Sequence, residues 1–550
     1  MLTNSYNHED EEMKKIMPEK TVVTIKNGIV VDGTGAEAEQ LDIIVKDGLI
    51  SAVGRDLPVE GELIDAAGLV VTPGFIDIHT HTDTSIYKYP RSGSRLMQGI
   101  TTEVTGSCGI GNFPVGKEPA KVEELVHFLK LHDAYIPEEG ITWKDFAGFA
   151  EDLSRYQLGT NIAPLVGHGA LRIAVVGSEN RAATSAELEK LCVLLDKQLA
   201  QGAWGMSSGL IYPPGSFAPA AEFNALGKIL ARHDALYTTH VRGESASLLQ
   251  AVDEAIDVSR SSNAKVQVSH LKAIGVPNWG NGKKALEKIL AARQEGLNVT
   301  ADQYPYEASA TALSVLLPGW VQSGGAEAMV KRLQNAEERK KMLPDLNKEM
   351  ATRGGPDRIL VTGLRNGREE FVGKKLSEIA DMMKKPADIA VMDLLAEQEG
   401  TVQAVYFSIS TEDIDYIMQS NIVSIGSDGG SVEIEEAAHS STHPRFYGTF
   451  AKILGTFARD RGLVTLEQAV YKMTGLPAAR LGMLDRGIIA VGKAADITIF
   501  DYQKIRDLAT FEKPHQYSQG IVHVLVNGGF AVKNGHFTNE AHGQVLRKPH

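Results

Sequence analysis

Eight short apolar segments alternate with amphipathic, helix-like stretches through the middle of this chain, and this alternation restricts its fold most. The segments cover residues 74–79, 101–105, 162–166, 203–207, 236–240, 265–270, 298–303 and 422–427. Eight strands that alternate with helices favour a closed (β/α)8 barrel, an α/β fold. A doubly wound open sheet is the alternative. It would use fewer strands and a phosphate loop, and the glycine-rich stretch at 275–283 lacks the Gly-Lys-Ser/Thr ending of such a loop.

Both ends of the chain have a different residue pattern from the middle. Residues 21–72 and 485–550 contain short alternating strands with Asn-Gly and Asp-Gly turn signals. Neither end has enough strand to bury a core alone, so we expect the two to pack together as one small β-sandwich domain beside a barrel at 73–484. The gap after the seventh strand is too long for one connection and predicts an inserted helical subdomain or lid at 311–415. Residues 1–20 are charged and predict a mobile leader.

Composition restricts the kinds of partner and the cellular compartment that we expect for this chain. The chain has 550 residues and a formal net charge of -13, which argues against a nucleic-acid partner. It lacks both a membrane-length apolar run and a signal-peptide pattern. Two cysteines exclude a disulfide framework and fit a reducing cytoplasm. The sequence leaves an oligomer open.

Residue types that bind metals follow five of the predicted strands. The candidate ligands are His79, His81, Cys108, His240 and His270, and the candidate catalytic carboxylate is Asp428. A closed barrel carries its chemistry at the C-terminal ends of its strands, so these side chains are expected to converge. Two histidines at i and i+2 on a strand share one face, which lets both imidazoles reach one cation.

Each of these residues also has a simpler interpretation. A strand-end histidine is often only hydrogen-bonded, and an Asp before Gly is a common turn residue. Cys108 could be a nucleophile instead of a ligand, whereas Cys192 fits an inert position on an apolar helix face. The repeated placement of His240 and His270 at successive strand ends favours a metal site.

The set of donors predicts zinc. Imidazole and thiolate ligands favour Zn²⁺ over magnesium or calcium. Water on zinc ionises near neutral pH and can attack an amide carbon. The leaving amine also needs a proton, and Asp428 is the candidate that takes it from the water and passes it on.

Several motifs together resemble the amidohydrolase superfamily, and within it the D-aminoacylase (N-acyl-D-amino-acid deacylase) family. They are GFIDIHTHTD, the SCG turn, THVRGES, SHLKAIG, DQYPY and GSDGG. The similarity runs from about residue 21 to the C-terminal strands and implies a barrel with a split β-sandwich. The fourth predicted strand, in AWGMSSGL, lacks the carboxylated lysine of many relatives. This absence agrees with the branch in which a cysteine bridges the metals.

The resemblance implies a role for each matching residue. One zinc would be bound tightly by Cys108, His240 and His270, and a second, weaker zinc by His79, His81 and the same cysteine. Asp428 would be the general base and acid. The remaining residues would contact the substrate: Lys272, Tyr304 and Arg445 its carboxylate, Tyr212 its scissile carbonyl, and Leu316 and Leu317 an apolar side chain.

The chain departs from the family pattern in two places. The segment between Asp428 and Arg445 is longer than usual, which leaves the placement of Arg445 open. Glu103 stands in the second strand, where an apolar residue is more common.

The expected activity is therefore zinc-dependent hydrolysis of N-acyl-D-amino acids to a free D-amino acid and a carboxylate. The alternatives are a cyclic amidase of the dihydroorotase or hydantoinase kind and a D-residue-specific dipeptidase. A deaminase does not match the cysteine position. A barrel that has lost catalysis would be expected to lack some of the six metal-site residues, and all six are present.

Overall fold

The computed structural model of the protein describes residues 22–434 and 441–549. The predicted leader at 1–20 lies outside the described residues. The strands, in chain order, are β1 (Val22–Val30), β2 (Glu39–Lys46), β3 (Leu49–Gly54), β4 (Glu62–Asp65), β5 (Val70–Pro73), β6 (Phe75–Asp77), β7 (Ile100–Thr105), β8 (Asn161–Pro164), β9 (Val166–Gly167), β10 (Gly205–Gly209), β11 (Leu236–His240), β12 (Lys265–Val268), β13 (Val299–Gln303), β14 (Ala308–Ala312), β15 (Ile359–Leu364), β16 (Val402–Phe407), β17 (Val423–Ile425), β18 (Ile497–Phe500), β19 (Ile521–Val526), β20 (Gly529–Lys533) and β21 (His536–Phe537).

The helices form the outer layers and the connections. They are α1 (Thr82–Ser85), α2 (Gly93–Leu96), α3 (Pro119–Leu131), α4 (Phe146–Leu153), α5 (His168–Val175), α6 (Ser185–Ala200), α7 (Ala220–Arg232), α8 (Leu248–Ser262), α9 (Asn281–Gln294), α10 (Gly319–Gln322), α11 (Gly325–Gln334), α12 (Ala336–Thr352), α13 (Leu376–Met383), α14 (Ala387–Glu397), α15 (Thr411–Met418), α16 (Arg445–Lys452), α17 (Leu466–Met473) and α18 (Gly475–Leu481). Within the described ranges, we find no helix long and apolar enough to cross a membrane.

The central strands form the predicted barrel. Strands β6, β7 and β8 are parallel, and β9 continues the third strand beside β10, β11, β12, β13 and β17, which are also parallel. A parallel bridge between Thr80 and Gly429 joins the first strand end to the last. The Asp428 amide donates to the His79 carbonyl oxygen at 2.9 Å across the same seam. The eight predicted segments all contain strand, and the predicted α/β fold class is confirmed.

Strands from both ends of the chain meet in one sheet. Its nine strands run β21-β20-β19-β18-β5-β1-β2-β3, with β4 paired to β1. Strand β5 pairs with β18 in antiparallel register, Val71 opposite Ile499, which joins the two ends. Alternation places Leu525 in the core of this sheet and its neighbours Val524 and Val526 in a core shared with the barrel helices.

The long segment between β13 and β17 carries its own core. It contains the antiparallel sheet β14-β16-β15 and helices α10 to α14. Buried residues such as Leu333, Leu346 and Val391 pack together between the sheet and the helices. The insertion therefore contains both strands and helices and is not purely helical. The sequence did not predict its three strands because long charged helices dominate the residue pattern of this segment.

Candidate metal centre

The candidate ligands all lie at or just after the C-terminal ends of barrel strands. His240 is the last residue of β11, and Cys108, His270 and Asp428 occupy turns that follow β7, β12 and β17. The three turn residues have positive φ angles of 53°, 36° and 53°. Residues other than glycine rarely adopt this left-handed backbone conformation, and such backbone strain is concentrated at functional sites.

The turn that carries Cys108 packs against the end of the fourth strand. A Cβ atom added to Gly209 would lie 2.1 Å from the carbonyl oxygen of Cys108. Only glycine therefore permits this approach of β10 to the cysteine turn.

Four donor side chains converge at the barrel mouth. The ligand atoms of His79, Cys108, His270 and Asp428 all lie within 4.8 Å of one another, and all four residues are buried. Cys108 Sγ lies 3.4 Å from His79 Nε2 and 3.4 Å from His270 Nε2. His79 Nε2 lies 3.4 Å from Asp428 Oδ1.

These residues fit a zinc ion. Typical Zn–S and Zn–N bonds in tetrahedral geometry would hold a sulfur and a nitrogen about 3.5 Å apart, close to the separations at Cys108. One thiolate, two imidazoles and one carboxylate are ligands that zinc accepts. The assignment therefore depends on the chemistry of the four donors.

His81 and His240 lie next to this cluster and contact different members of it. His81 Nε2 lies 3.0 Å from Asp428 Oδ1. His240 belongs to a second potential metal group with Glu244 and His270. Its Nε2 lies 3.5 Å from Glu244 Oε2, and neither ring nitrogen has a hydrogen-bond partner within the described part of the chain. Two buried nitrogens without partners are unusual, and a metal ligand would satisfy one of them.

The charges in the site favour ligand forms of the key groups. Burial alone would raise the pKa of the Cys108 thiol, but the His79 and His270 imidazoles hold it well below its usual range. Burial likewise acts to raise the pKa of Asp428, and the Arg445 guanidinium with nearby imidazoles keeps it well below normal. The site therefore holds a thiolate and an ionised carboxylate at neutral pH.

Two carboxylates outside the predicted set support the ligands. Asp302 accepts from the His270 amide at 2.7 Å and contacts His79 Nδ1 at 3.1 Å. Glu244 Oε1 lies 3.2 Å from His270 Nδ1 and pairs with Lys272. Both lie inside motifs that carry the resemblance, DQYPY and THVRGES, but no spacing rule singled them out. Such contacts fix the orientation of metal-binding imidazoles.

The three predicted carboxylate-binding residues lie on one side of the cluster. Arg445 Nη1 lies 2.8 Å from Asp428 Oδ2. The Tyr304 ring lies between two cations, 5.1 Å from the Arg445 guanidinium and 5.7 Å from Lys272 Nζ. The Tyr304 hydroxyl has no hydrogen-bond partner among the described residues. The structure thus brings Arg445 to the site despite the long segment before it.

Tyr212 lies beside His240. Its ring packs edge-to-face against His240 with a centroid distance of 5.3 Å. Its hydroxyl and Thr311 Oγ1 are 2.9 Å apart. This contact links the strand-four loop to the inserted subdomain.

The predicted side-chain pocket needs a correction. Leu316 and Leu317 are 1% and 3% exposed and belong to the core of the inserted subdomain. They do not line the cavity above the cluster. Their apolar side chains pack between the inserted helices because that subdomain has to bury a core of its own.

Glu103 has a clear structural role. It is fully buried, lies 3.2 Å from Arg95 Nε and accepts from Thr160 Oγ1 at 2.7 Å. Arg95 in turn donates to Ser427 Oγ at 2.7 Å, next to Asp428. The charged residue in strand two therefore anchors the loop that carries Asp428.

A cavity of about 510 Å³ opens above the four donors. Its floor includes Cys108, His240, His270 and Asp428, and its walls include Tyr212, Lys272, Tyr304 and Arg445. The inserted subdomain contributes further wall residues, among them Arg353, Leu364 and Gln403. This volume suits a small-molecule ligand.

A closed parallel barrel with a buried His, Cys and Asp cluster at its mouth defines a class of metal-dependent barrel enzymes. Comparison with known proteins identifies the family within that class. The amidohydrolase family model matches residues 62–342 and 409–532, and the chain belongs to this family.

Individual relatives place the chain in the D-aminoacylase branch. It is 34% identical to the N-acyl-D-aspartate deacylase of Alcaligenes xylosoxydans xylosoxydans over 96% of this chain and 95% of the relative. It is 33% identical to the D-aminoacylase of the same organism over 95% and 97%. The solved N-acyl-D-glutamate deacylase from Bordetella bronchiseptica, complexed with zinc and a phosphonate inhibitor, superposes with a TM-score of 0.80 at 32% identity, covering 96% of this chain and 100% of that one.

Proposed function

We propose that this protein is a zinc-dependent deacylase that hydrolyses N-acyl-D-amino acids to a free D-amino acid and a carboxylate. The observation that carries the proposal is the four-donor cluster beside Arg445, Lys272 and Tyr304. Relatives that share a third of its sequence over nearly its whole length are named as deacylases of N-acyl-D-amino acids.

His79, Cys108, His270 and Asp428 would hold one zinc ion. His240 with Glu244 offers donors toward a second position that shares His270. This division differs from the one that the family resemblance implies, since the four-donor group includes His79 instead of His240. When bound, zinc polarises an amide carbonyl and makes a water more acidic.

Asp428 would move the proton. Its carboxylate is ionised and held between His81 Nε2 at 3.0 Å and Arg445 Nη1 at 2.8 Å. One oxygen can take a proton from the attacking water and deliver it to the leaving amine nitrogen. The cationic neighbours stabilise the carboxylate before transfer and lose part of that stabilisation when it is protonated.

Arg445, Lys272 and Tyr304 would orient the substrate. Arg445 already pairs with Asp428, but a guanidinium has five donors, so it can also bind a substrate carboxylate. Lys272 already contacts Glu244, His270 Nδ1 and the His270 carbonyl oxygen, so it would act on that carboxylate through its positive charge. Tyr212 would donate its hydroxyl to the scissile carbonyl. A fixed carboxylate, a fixed carbonyl and one cavity for the side chain distinguish D- from L-substrates.

Further features of the proposal concern organisation and location. We propose that residues 21–72 with 485–550 act as the β-domain, 73–484 as the barrel and 311–415 as a lid. The lid is supported by Arg353, Leu364 and Gln403 in the cavity wall. A cytoplasmic location is supported by two free cysteines, a small-molecule substrate by the cavity above the cluster, and the lack of a nucleic-acid partner by the net charge of -13.

The test is a panel of N-acetyl-D- and N-acetyl-L-amino acids, with apolar and acidic side chains, measured with zinc content. We expect turnover of D-forms only and at least one zinc per chain. Equal turnover of both enantiomers would refute the proposal. A hydantoin in the same panel tests the cyclic-amidase alternative, because ring-opening without deacylation would favour it.

A further inference from the structure

A second cavity of about 410 Å³ lies beside the first, between helix α3 and helices α10 and α11 of the inserted subdomain. The two cavities share three wall residues, His132, Tyr212 and Ala312. These three residues form the boundary that the two cavities have in common, and Tyr212 among them packs against His240 at the metal centre.

The position of Tyr212 orients the two halves of a substrate. On the proposed function, the α-carboxylate faces Arg445 and the scissile carbonyl faces Tyr212. The acyl chain is bonded to that carbonyl and has to leave it on the side away from the carboxylate. Arg445, Lys272 and Tyr304 line only the first cavity, whereas Tyr212 lines both, so the second cavity is the space that adjoins the carbonyl site without adjoining the carboxylate site.

We propose that this second cavity binds the acyl group, and that the enzyme acts on N-acyl-D-amino acids with medium-length aliphatic acyl chains. The inference rests on the proposed function and specifies its substrate class.

The inner walls have the chemistry of an alkyl site. Phe128, Leu131 and Met329 line the cavity from α3 and α11 together with Ala312. The Phe128 ring packs against His132 with centroids 4.9 Å apart, and His132 packs against Tyr212 at 5.0 Å. These walls offer apolar contact along the line from Tyr212 outward.

The outer rim is acidic. Glu123 and Glu327 line it and are exposed, and Glu124 beside them pairs with Lys121 at 3.0 Å. A chain that ends in a methyl group can extend toward this rim, whereas one that ends in a carboxylate meets like charges. The site therefore selects alkyl over dicarboxylic acyl groups.

The first test is a chain-length series on the D-amino acid that the N-acetyl panel prefers. We expect kcat/KM to rise about fourfold for each methylene from acetyl to hexanoyl, the factor that corresponds to burial of one methylene. N-glutaryl should be at least tenfold poorer than N-hexanoyl. A flat or falling series with hydrolysis of the acetyl compound intact would overturn the acyl site alone; loss of all deacylation would refute the proposed function.

The second test locates the effect with matched variants. Ala326 lines the cavity and Ala328, on the same helix and equally half-buried, does not. Ala326→Phe should lower kcat/KM for N-hexanoyl substrate at least tenfold and leave N-acetyl substrate unchanged, while Ala328→Phe changes neither. Leu131→Trp fills the cavity from α3 and should act like Ala326→Phe. Thermal unfolding identifies variants that fold. If both folded cavity variants keep the wild-type chain-length profile, the assignment is wrong.

Discussion

Asp302 offers the sharpest test of how the metal centre is built. This buried carboxylate accepts from the His270 amide at 2.7 Å and from Gln267 Nε2 at 2.6 Å, and it contacts His79 Nδ1 at 3.1 Å. With the His79 Nδ1 proton donated to Asp302, the Nε2 lone pair faces the cluster. Asp302 therefore determines both the ring orientation and the tautomer of one ligand and the backbone position of another.

The size of the effect follows from these contacts. Loss of a group that orients a metal-binding histidine weakens metal affinity by about 10- to 100-fold, or about 1.4 to 2.8 kcal/mol. Asp302→Ala removes the acceptor for three donors, so its loss of zinc affinity should lie at the upper end of this range. Asp302→Asn keeps an oxygen that can face His79 and the His270 amide, so we expect a loss of zinc affinity at the lower end of the range.

The measurement is a competition titration of metal-free protein with zinc against a chelating indicator, which does not depend on turnover. Asp253→Ala is the control, because Asp253 pairs with Lys288 at the surface with half of its side chain exposed. We expect zinc affinity in the control to equal the wild type. A folded Asp302→Ala protein with wild-type zinc affinity would refute the role of Asp302.

Three further predictions concern the catalytic carboxylate, the substrate carboxylate and a buried lysine outside the metal centre. Asp428→Asn keeps its size but cannot carry the proton, so kcat should fall about 10³-fold in protein that metal analysis shows to hold zinc through the remaining donors His79, Cys108 and His270; unchanged kcat would contradict the role of Asp428. Arg445→Lys should lower kcat/KM about 10- to 100-fold because one ammonium replaces a planar fork. An N-acyl amine without the carboxylate should lose less, because for it the substitution changes only the contact with Asp428; an equal loss for both substrates would contradict carboxylate binding by Arg445. Burial lowers the pKa of Lys472 to about 7. The unfolded chain then binds more protons than the folded chain between about pH 7 and 10, so the contribution of this lysine to stability rises with pH across that window. In chemical unfolding, the stability of Lys472→Met relative to wild type should accordingly fall by about 1 to 4 kcal/mol from pH 7 to 10, and a pH-independent difference would contradict this.

The barrel and its ligand types were predictable because their signals are local. The apolar runs before His240 and His270 give the strands, and closure of a parallel barrel then brings strand ends together at one mouth. The resemblance added roles for Tyr212 and Arg445, and the structure places both beside the cluster.

Other features depend on contacts between distant segments. Asp302 and His79 are 223 residues apart, and nothing in the local pattern around Asp302 distinguishes it from an ordinary strand residue. Leu316 and Leu317 have the composition of a substrate pocket, but they are buried in the core of the inserted subdomain. An apolar side chain indicates that it will be buried, but it does not indicate which other residues will cover it.

The sequence by itself determined the strand and helix alternation, the joining of the two chain ends and the donor types of the metal site. Each depends on residue spacing and side-chain chemistry, which are fixed along the chain. Only the tertiary structure decided that His79 and Asp428 share the four-donor group while His240 lies beside Glu244, and that a second cavity opens behind Tyr212. These outcomes depend on how the barrel closes and where the insertion packs, which set distances of a few ångströms between residues far apart in sequence.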